Sequence, residues 1–270
     1  MQHDEPNPRL DRRSYVLEVE DTFQQPTLDE RLWIPHYLPH WSSRTASAAR
    51  YEVGGGLLRL KIEADQEPWN PDIDGGLRVS SLQTGVFAGP VGSAIGQHRF
   101  RPGLIVREAQ ESVALYTPRY GLFELRARAL DDPAAMVALW MIGYEDEPTR
   151  SAEICVCEIF GRDVGPDTAR IGMGLHPFGD PSITDAFAAE PVRIDARQIH
   201  TYSVVWAPDF VAFYVDDGLI RVVHQSPSYP MQFMLSIYEF RDGAGAPVDS
   251  GYPKVFEVEA FRGYRPRASG

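Results

Sequence analysis

Apolar and polar residues alternate with a period of two through much of this 270-residue chain. Tyr15-Val16-Leu17-Glu18-Val19-Glu20, residues 57–63 and residues 120–129 all show it, and it is the mark of a strand with one face buried. In the third of these, Phe123, Leu125 and Ala127 fall on one face and Glu124, Arg126 and Arg128 on the other. Residues 136–142 are apolar on both faces and predict a central strand. Further strands are predicted at 200–206, 210–215, 219–223, 231–238 and 254–261, with Asp216-Asp217-Gly218 as a tight hairpin turn. Leu28-Asp29-Glu30-Arg31-Leu32-Trp33 reads as a helical turn. No run of ten or more residues has helical periodicity, and no repeat of fixed period occurs. The pattern predicts an all-β chain, an antiparallel sandwich or jelly roll. Residues 1–14, rich in Pro, Asp and Arg, are expected to form a loose arm, and residues 15–270 a single domain. Between residues 67 and 100 the chain is dense in Gly, Pro, Asn and Asp. That is long for a structureless connection, and long loops on a β scaffold are where binding groups collect.

One predicted strand stands apart. Ser151-Ala152-Glu153-Ile154-Cys155-Val156-Cys157-Glu158-Ile159-Phe160-Gly161 carries two carboxylates inside an apolar, β-branched run. Burying a carboxylate is costly unless it is partnered or has a task. In a regular strand, residues 153, 155 and 157 share a face and 158 points away. A β-bulge between Cys155 and Glu158 would return Glu158 to the face of Glu153, so that both line one cleft. Two carboxyls held about 5–5.5 Å apart suit retaining glycoside hydrolysis. The alternative is a pair of structural acids, salt-bridged in the core to Arg126 or Arg128.

Composition narrows the partners. The chain is 43% apolar and 24% charged, with a net charge of -12. Its arginines are scattered among acids, which argues against nucleic acid or an anionic membrane and for an uncharged substrate. No apolar run approaches a membrane span, and Met1-Gln2-His3-Asp4-Glu5-Pro6-Asn7-Pro8 has neither a basic nor an apolar signal region. The chain as written is expected to be a cytoplasmic monomer, or secreted if its start is truncated. Cys155 and Cys157 are its only cysteines. Two positions apart on one strand, they are expected to share a face with poor disulfide geometry, and no second ligand pair with zinc-type spacing accompanies them.

Together with its neighbours, the acidic strand resembles glycoside hydrolase family 16, whose bulged signature is Glu-x-Asp-x-x-Glu; here it reads Glu153-Ile154-Cys155-Val156-Cys157-Glu158. The resemblance extends to Tyr120-Gly121-Leu122-Phe123-Glu124-Leu125-Arg126, Ala138-Leu139-Trp140-Met141, His200-Thr201-Tyr202 with Trp206, Phe213-Tyr214-Val215-Asp216-Asp217-Gly218 and Tyr229-Pro230-Met231-Gln232. It spans roughly residues 15–265. It implies a concanavalin-like β-sandwich jelly roll with a concave substrate cleft, Glu153 as nucleophile and Glu158 as general acid/base. It further implies a β-linked glucan or galactan as carbohydrate substrate, most often β-1,3-glucan for laminarinase-like members with the bulged strand.

Cys155 departs from the family pattern, because the matching Asp normally lies between the two glutamates and hydrogen-bonds to the pair. A thiol is a weak donor and largely neutral near pH 7, so the change removes a strong acceptor and a negative charge. The like-charge push on the Glu158 pKa is expected to weaken, moving the pH optimum towards acid or lowering activity. Trp140 matches the family's aromatic at the sugar site, with plain core packing as its alternative, and His176 in Gly174-Leu175-His176-Pro177 matches a cleft-lining histidine. Trp69 and Tyr144 are further substrate-binding candidates, with Tyr116 and Arg119 behind them. Trp33 and Trp41 are loop anchors or sugar platforms, and Trp206 is expected in the core. No cofactor is required. A structural calcium far from the cleft is a family possibility and would fall on Glu259, a longer side chain than the usual Asp, with an exposed strand charge as the alternative. The implied activity is retaining, endo-acting hydrolysis. Its rivals are transglycosylation and a non-catalytic glycan-binding role, which Cys155 favours and the two retained glutamates oppose.

Overall fold

The computed structural model describes residues 8–240 and 251–268. Among these residues the chain forms sixteen strands and no α-helix. In chain order they are β1 (Tyr15–Asp21), β2 (Arg50–Gly54), β3 (Leu57–Ile62), β4 (Arg78–Gln83), β5 (Gly85–Val86), β6 (Val113–Ala114), β7 (Gly121–Arg128) and β8 (Ala135–Gly143). They continue with β9 (Glu153–Phe160), β10 (Ala169–His176), β11 (Ala188–Val192), β12 (His200–Trp206), β13 (Val211–Val215), β14 (Gly218–Val223), β15 (Met231–Glu239) and β16 (Lys254–Pro266). One large sheet has the order β14-β13-β12-β7-β16-β3-β2, with β1 also paired to β16; the other runs β11-β10-β9-β8-β15-β4. Every pairing in them is antiparallel. The expected jelly-roll sandwich is the fold observed.

The alternation of the sequence shows where the core lies. Phe123, Leu125, Val204, Phe213 and Phe261 from the first sheet meet Val137, Leu139, Ile154, Phe233 and Leu235 from the second in one buried cluster. Strand β8 is apolar on both faces because both are covered. Its odd-numbered residues enter that core, while Met136, Ala138, Trp140 and Ile142 join a second cluster with Tyr37, Trp41, Trp69 and Tyr238. Long loops thus pack over the outer face of the six-stranded sheet, and the cavity described below opens between them. The hairpin at 216–217 has both residues at positive φ, 47° and 67°, the twist that suits a two-residue connection.

Three features differ from expectation. Residues 67–100 contain β4, whose buried Ser80, Ser81 and Gln83 conceal its periodicity. The two serines are satisfied by neighbouring strands: Ser81 Oγ meets Ser236 Oγ at 2.7 Å, and Ser80 Oγ donates to the Lys61 carbonyl at 2.7 Å, while Gln83 Oε1 accepts from the Leu38 amide at 3.3 Å. Strand β10 was hidden by its glycines and β11 by its brevity and proline. Residues 8–14 are docked. Leu10 packs with Leu122, Val205 and Ala212, and Arg12 donates to the buried Glu124 carboxylate at 2.5 Å and to Asp217 at 2.6 Å. The remainder of the expected arm, residues 1–7, lies outside the described residues. Leu28–Trp33 is a single turn in which the Leu32 and Trp33 amides donate to the Asp29 carbonyl.

Candidate active site

The bulge is present in β9. Trp140 pairs with Cys155 and Leu139 with Cys157, so Val156 is the extra residue on β9. Ile154, Val156, Cys157 and Ile159 therefore face the core, while Glu153, Cys155 and Glu158 face the loops. The two cysteines, expected on one face, lie on opposite faces for the same reason, and both are free and buried.

The outward face of β9 forms the floor of a cavity of about 300 Å³ lined by Glu153, Glu158, Trp140, His176, Tyr37, Asp74, His98, Phe178 and Tyr238, among others. Strand β10 contributes almost no side chains beside the two glutamates: Gly172 pairs with Glu158, Gly174 with Cys155 and His176 with Glu153. Those glycines let the chain at Ala186 and Phe187 cross directly over the sheet. A Cβ at 172 would lie 2.5 Å from the Phe187 ring, and one at 174 would lie 2.2 Å from the Ala186 carbonyl oxygen. Phe187 then stacks on His176, with ring centroids 4.8 Å apart. Phe187 thus backs the lining residue His176, and Tyr37, whose ring meets Tyr238 edge-on, lines the cavity.

Burial dominates the electrostatics. Both carboxyls are raised, chiefly by loss of solvent: Glu153 is pushed up to about 8, with the charge of Glu158 adding to the push, and Glu158 is raised as well. Two carboxyls that oppose each other's ionisation hold a proton between them near neutrality. Cys155 lies against both glutamates, and its thiol, pushed far up by burial and by their charges, stays protonated. It donates to Glu153 Oε1 at 2.8 Å, and its hydrogen bonding lowers both carboxyls against the larger upward push of burial. His98 is nine-tenths buried, with its pKa lowered to about 3 by burial and by the nearby His40 and His176, so it is neutral. Its Nδ1 lies 3.9 Å from Glu153 Oε2. Among the described residues, neither that atom nor the Trp140 indole nitrogen has a hydrogen-bond partner. Each is a buried donor or acceptor available to a ligand.

The arginines proposed as structural partners for the glutamates are engaged elsewhere. Arg126 pairs with Glu259 at 2.6 Å and Arg128 pairs with Glu257, both on the other sheet. The same contact makes Glu259 a poor calcium ligand, because its carboxylate is taken by a guanidinium. The donor set there does not fit the ion.

A family model described as glycosyl hydrolases family 16 matches residues 111–248, half of the chain. The chain belongs to glycosyl hydrolase family 16. It is 29% identical over 239 residues to the endo-1,3-1,4-beta-glycanase ExsH of Rhizobium meliloti (strain 1021), covering 86% of this chain and 43% of that protein. Among solved structures, a GlcNAcα1-4Gal releasing endo-β-galactosidase from Clostridium perfringens matches with a TM-score of 0.80 and 27% identity, over 97% of this chain and 65% of that one. The catalytic domain of a laminarinase from Thermotoga petrophila RKU-1 shares the fold with a TM-score of 0.65 and 16% identity, over 94% of this chain and 99% of that one. The chain thus spans less than half of the rhizobial family member's length.

Within this family 16 fold, Glu153, Glu158, Trp140 and His176 line the one cavity, with Cys155 beneath them. Two substrate-binding candidates do not reach it. Trp69 is buried, packs edge-on against Tyr37 at 4.9 Å and donates its indole N–H to Asp74 at 2.7 Å, so it anchors a loop and orients Asp74. Tyr144 turns away, packing on Phe87 and donating its hydroxyl to the Val86 carbonyl at 3.2 Å. Tyr116 stacks on Phe233 and Arg119 lies over the Tyr120 ring, away from the cavity lining. Trp33 and Trp41 are buried anchors, and Trp206 is in the core. The lining residues missed from the sequence include Tyr37, Asp74, His98, Phe178 and Tyr238. Asp74 and His98 lie in the long 67–100 segment, which was marked as a carrier of binding groups without any one residue being singled out.

Proposed function

We propose that the chain is an endo-acting β-glycoside hydrolase working by retaining double displacement. Glu158 protonates the glycosidic oxygen while the Glu153 carboxylate attacks the anomeric carbon, giving a glycosyl-enzyme ester and releasing the leaving sugar. Glu158, now a base, takes a proton from water, which displaces Glu153 and restores both groups. The observation that carries this reading is the bulge at Val156, which sets both glutamates on one cavity face with the Cys155 thiol donating to Glu153. Trp140 supplies a ring face for the C–H surface of a sugar, and its free N–H a donor for a hydroxyl.

A β-1,3-glucan is the first substrate to test, supported by the relation to a 1,3-1,4-β-glycanase. A β-galactoside is the second, supported by the likeness to the endo-β-galactosidase over 97% of the chain. The test is a panel of β-glucans, β-galactans and their oligosaccharides, with the anomer of the first product followed by NMR and an added acceptor sugar to reveal transglycosylation. Initial release of the β-anomer, abolished in Glu153→Gln, is expected. Binding without turnover by both wild type and Glu153→Gln would replace this reading with a glycan-binding role.

A further inference from the structure

The cavity holds a donor set of which hydrolysis uses only the carboxylate. Glu153, Cys155 and His176 each offer one ligand atom, and these lie within 4.8 Å of one another. The sequence spacing gave no hint of this, because the strand-to-strand pairing of His176 with Glu153, and of Gly174 with Cys155, creates the cluster. Donors around a tetrahedral zinc are separated by about 3.5 Å, so closing this set requires movements of about 1 Å at most. Two further observations point to a ligand. His176 Nδ1 is bonded to Asp185 Oδ2 at 2.7 Å, the carboxylate-to-histidine contact that fixes a metal-binding ring and leaves Nε2 free to ligate. The buried His98 Nδ1 has no hydrogen-bond partner among the described residues and lies 3.9 Å from Glu153 Oε2, an unsatisfied polar atom beside the set.

We infer that this cavity is a site for a thiophilic divalent cation of the zinc class, held by Glu153, Cys155 and His176. A soft sulfur, an imidazole and one carboxylate select zinc over calcium or magnesium, which require oxygen ligands. Binding converts the Cys155 thiol to thiolate and releases its proton to solvent. The cation also occupies the Glu153 carboxylate. Resting on the assignment of Glu153 as nucleophile, zinc therefore turns the hydrolase off reversibly. An Asp at 155 would give a harder, all-oxygen-and-nitrogen set, so Cys155 is the residue that makes the site zinc-selective.

The test titrates the full chain with zinc chloride by calorimetry, and with cobalt(II) followed by its thiolate charge-transfer absorption. One zinc per chain is expected, together with a sulfur-to-cobalt band. Cys155→Ala should abolish the band and weaken zinc by more than about 100-fold. Asp185→Asn, which touches no proposed ligand but His176, should weaken it by about 10–100-fold. Absence of the band, or zinc affinity equal in wild type and both variants, would overturn the site. Activity on the best substrate of the panel should be lost with zinc and restored by a chelator. Zinc bound at Cys155 with activity unchanged would leave the site standing and overturn the role given to Glu153.

Discussion

Replacing Cys155 by Asp, the residue that the resemblance implies at this position, tests how the pair holds its proton. The thiol is neutral, is buried, and donates to Glu153 at 2.8 Å. A carboxylate in its place adds a negative charge against both glutamates. With about 4 Å between charges and an effective dielectric of about 20, the repulsion is roughly 4 kcal/mol. At about 1.4 kcal/mol per unit this corresponds to roughly 3 pKa units. A repulsion of that size is relieved by proton uptake, so three carboxyls hold one more proton near neutrality than the thiol-bearing pair does. The basic limb of the kcat/KM profile, which reports loss of the acid's proton, should therefore move to higher pH by about 1–3 units in Cys155→Asp. Cys155→Ser keeps a neutral donor and should leave both limbs in place. The measurement is the pH dependence of kcat/KM for the three proteins on one substrate. Superimposable profiles for wild type and Cys155→Asp would refute the electrostatic account of Cys155.

Gly172→Ala drives a methyl to 2.5 Å from the Phe187 ring and 3.1 Å from Glu158 Cβ. It should cost about 1–3 kcal/mol in denaturant titration and lower kcat by about 10–100-fold through displacement of Glu158. Lys254→Met removes a buried ammonium bound to Asp132 and, at 3.3 Å, to Glu239. The loss should be about 3 kcal/mol, at the lower end for a broken buried pair, because Arg78 and the Tyr252 hydroxyl still contact Glu239. Equal melting of the two proteins would contradict it. Glu145 is buried, with its pKa raised from 4.5 to about 8 by desolvation. The folded state therefore holds a proton that the unfolded state has lost between those values, and stability falls as pH rises through that window, by up to about 1.4 kcal/mol per pH unit. Glu145→Gln should flatten that slope while its side-chain oxygen keeps the bond from the His98 amide.

The strands with one covered face were legible from the sequence because period-two alternation is the direct trace of one-sided burial. β7, β12 and β16 appear close to where the pattern set them. β4 was illegible for a physical reason: it buries Ser80, Ser81 and Gln83, polar groups that hydrogen-bond to Lys61, Ser236 and the Leu38 amide, so its burial leaves little apolar trace. At the site, the acidic strand was legible down to its bulge, since two glutamates in an apolar run share a face only if the strand gains a residue. The loop residues were not, because Asp74 and His98 carry no periodicity. Their position depends on anchors such as Trp69, whose indole looks from the sequence like a binding group and in the fold orients Asp74 instead.

The glycines of β10 complete the account of why the acidic strand can be buried at all. A side chain at 172 or 174 would fill the space over Glu158 and Cys155, and it would keep Phe187 off the sheet. Without Phe187 in place, His176 would lose its stacking partner. Desolvation is the largest cause raising both glutamates, so the proton shared by the pair depends on two positions where the chain has no side chain. The chemistry of β9 is set as much by the missing side chains of β10 as by the residues β9 itself carries. A site search confined to ionisable residues therefore finds the glutamates and misses the glycines that tune them.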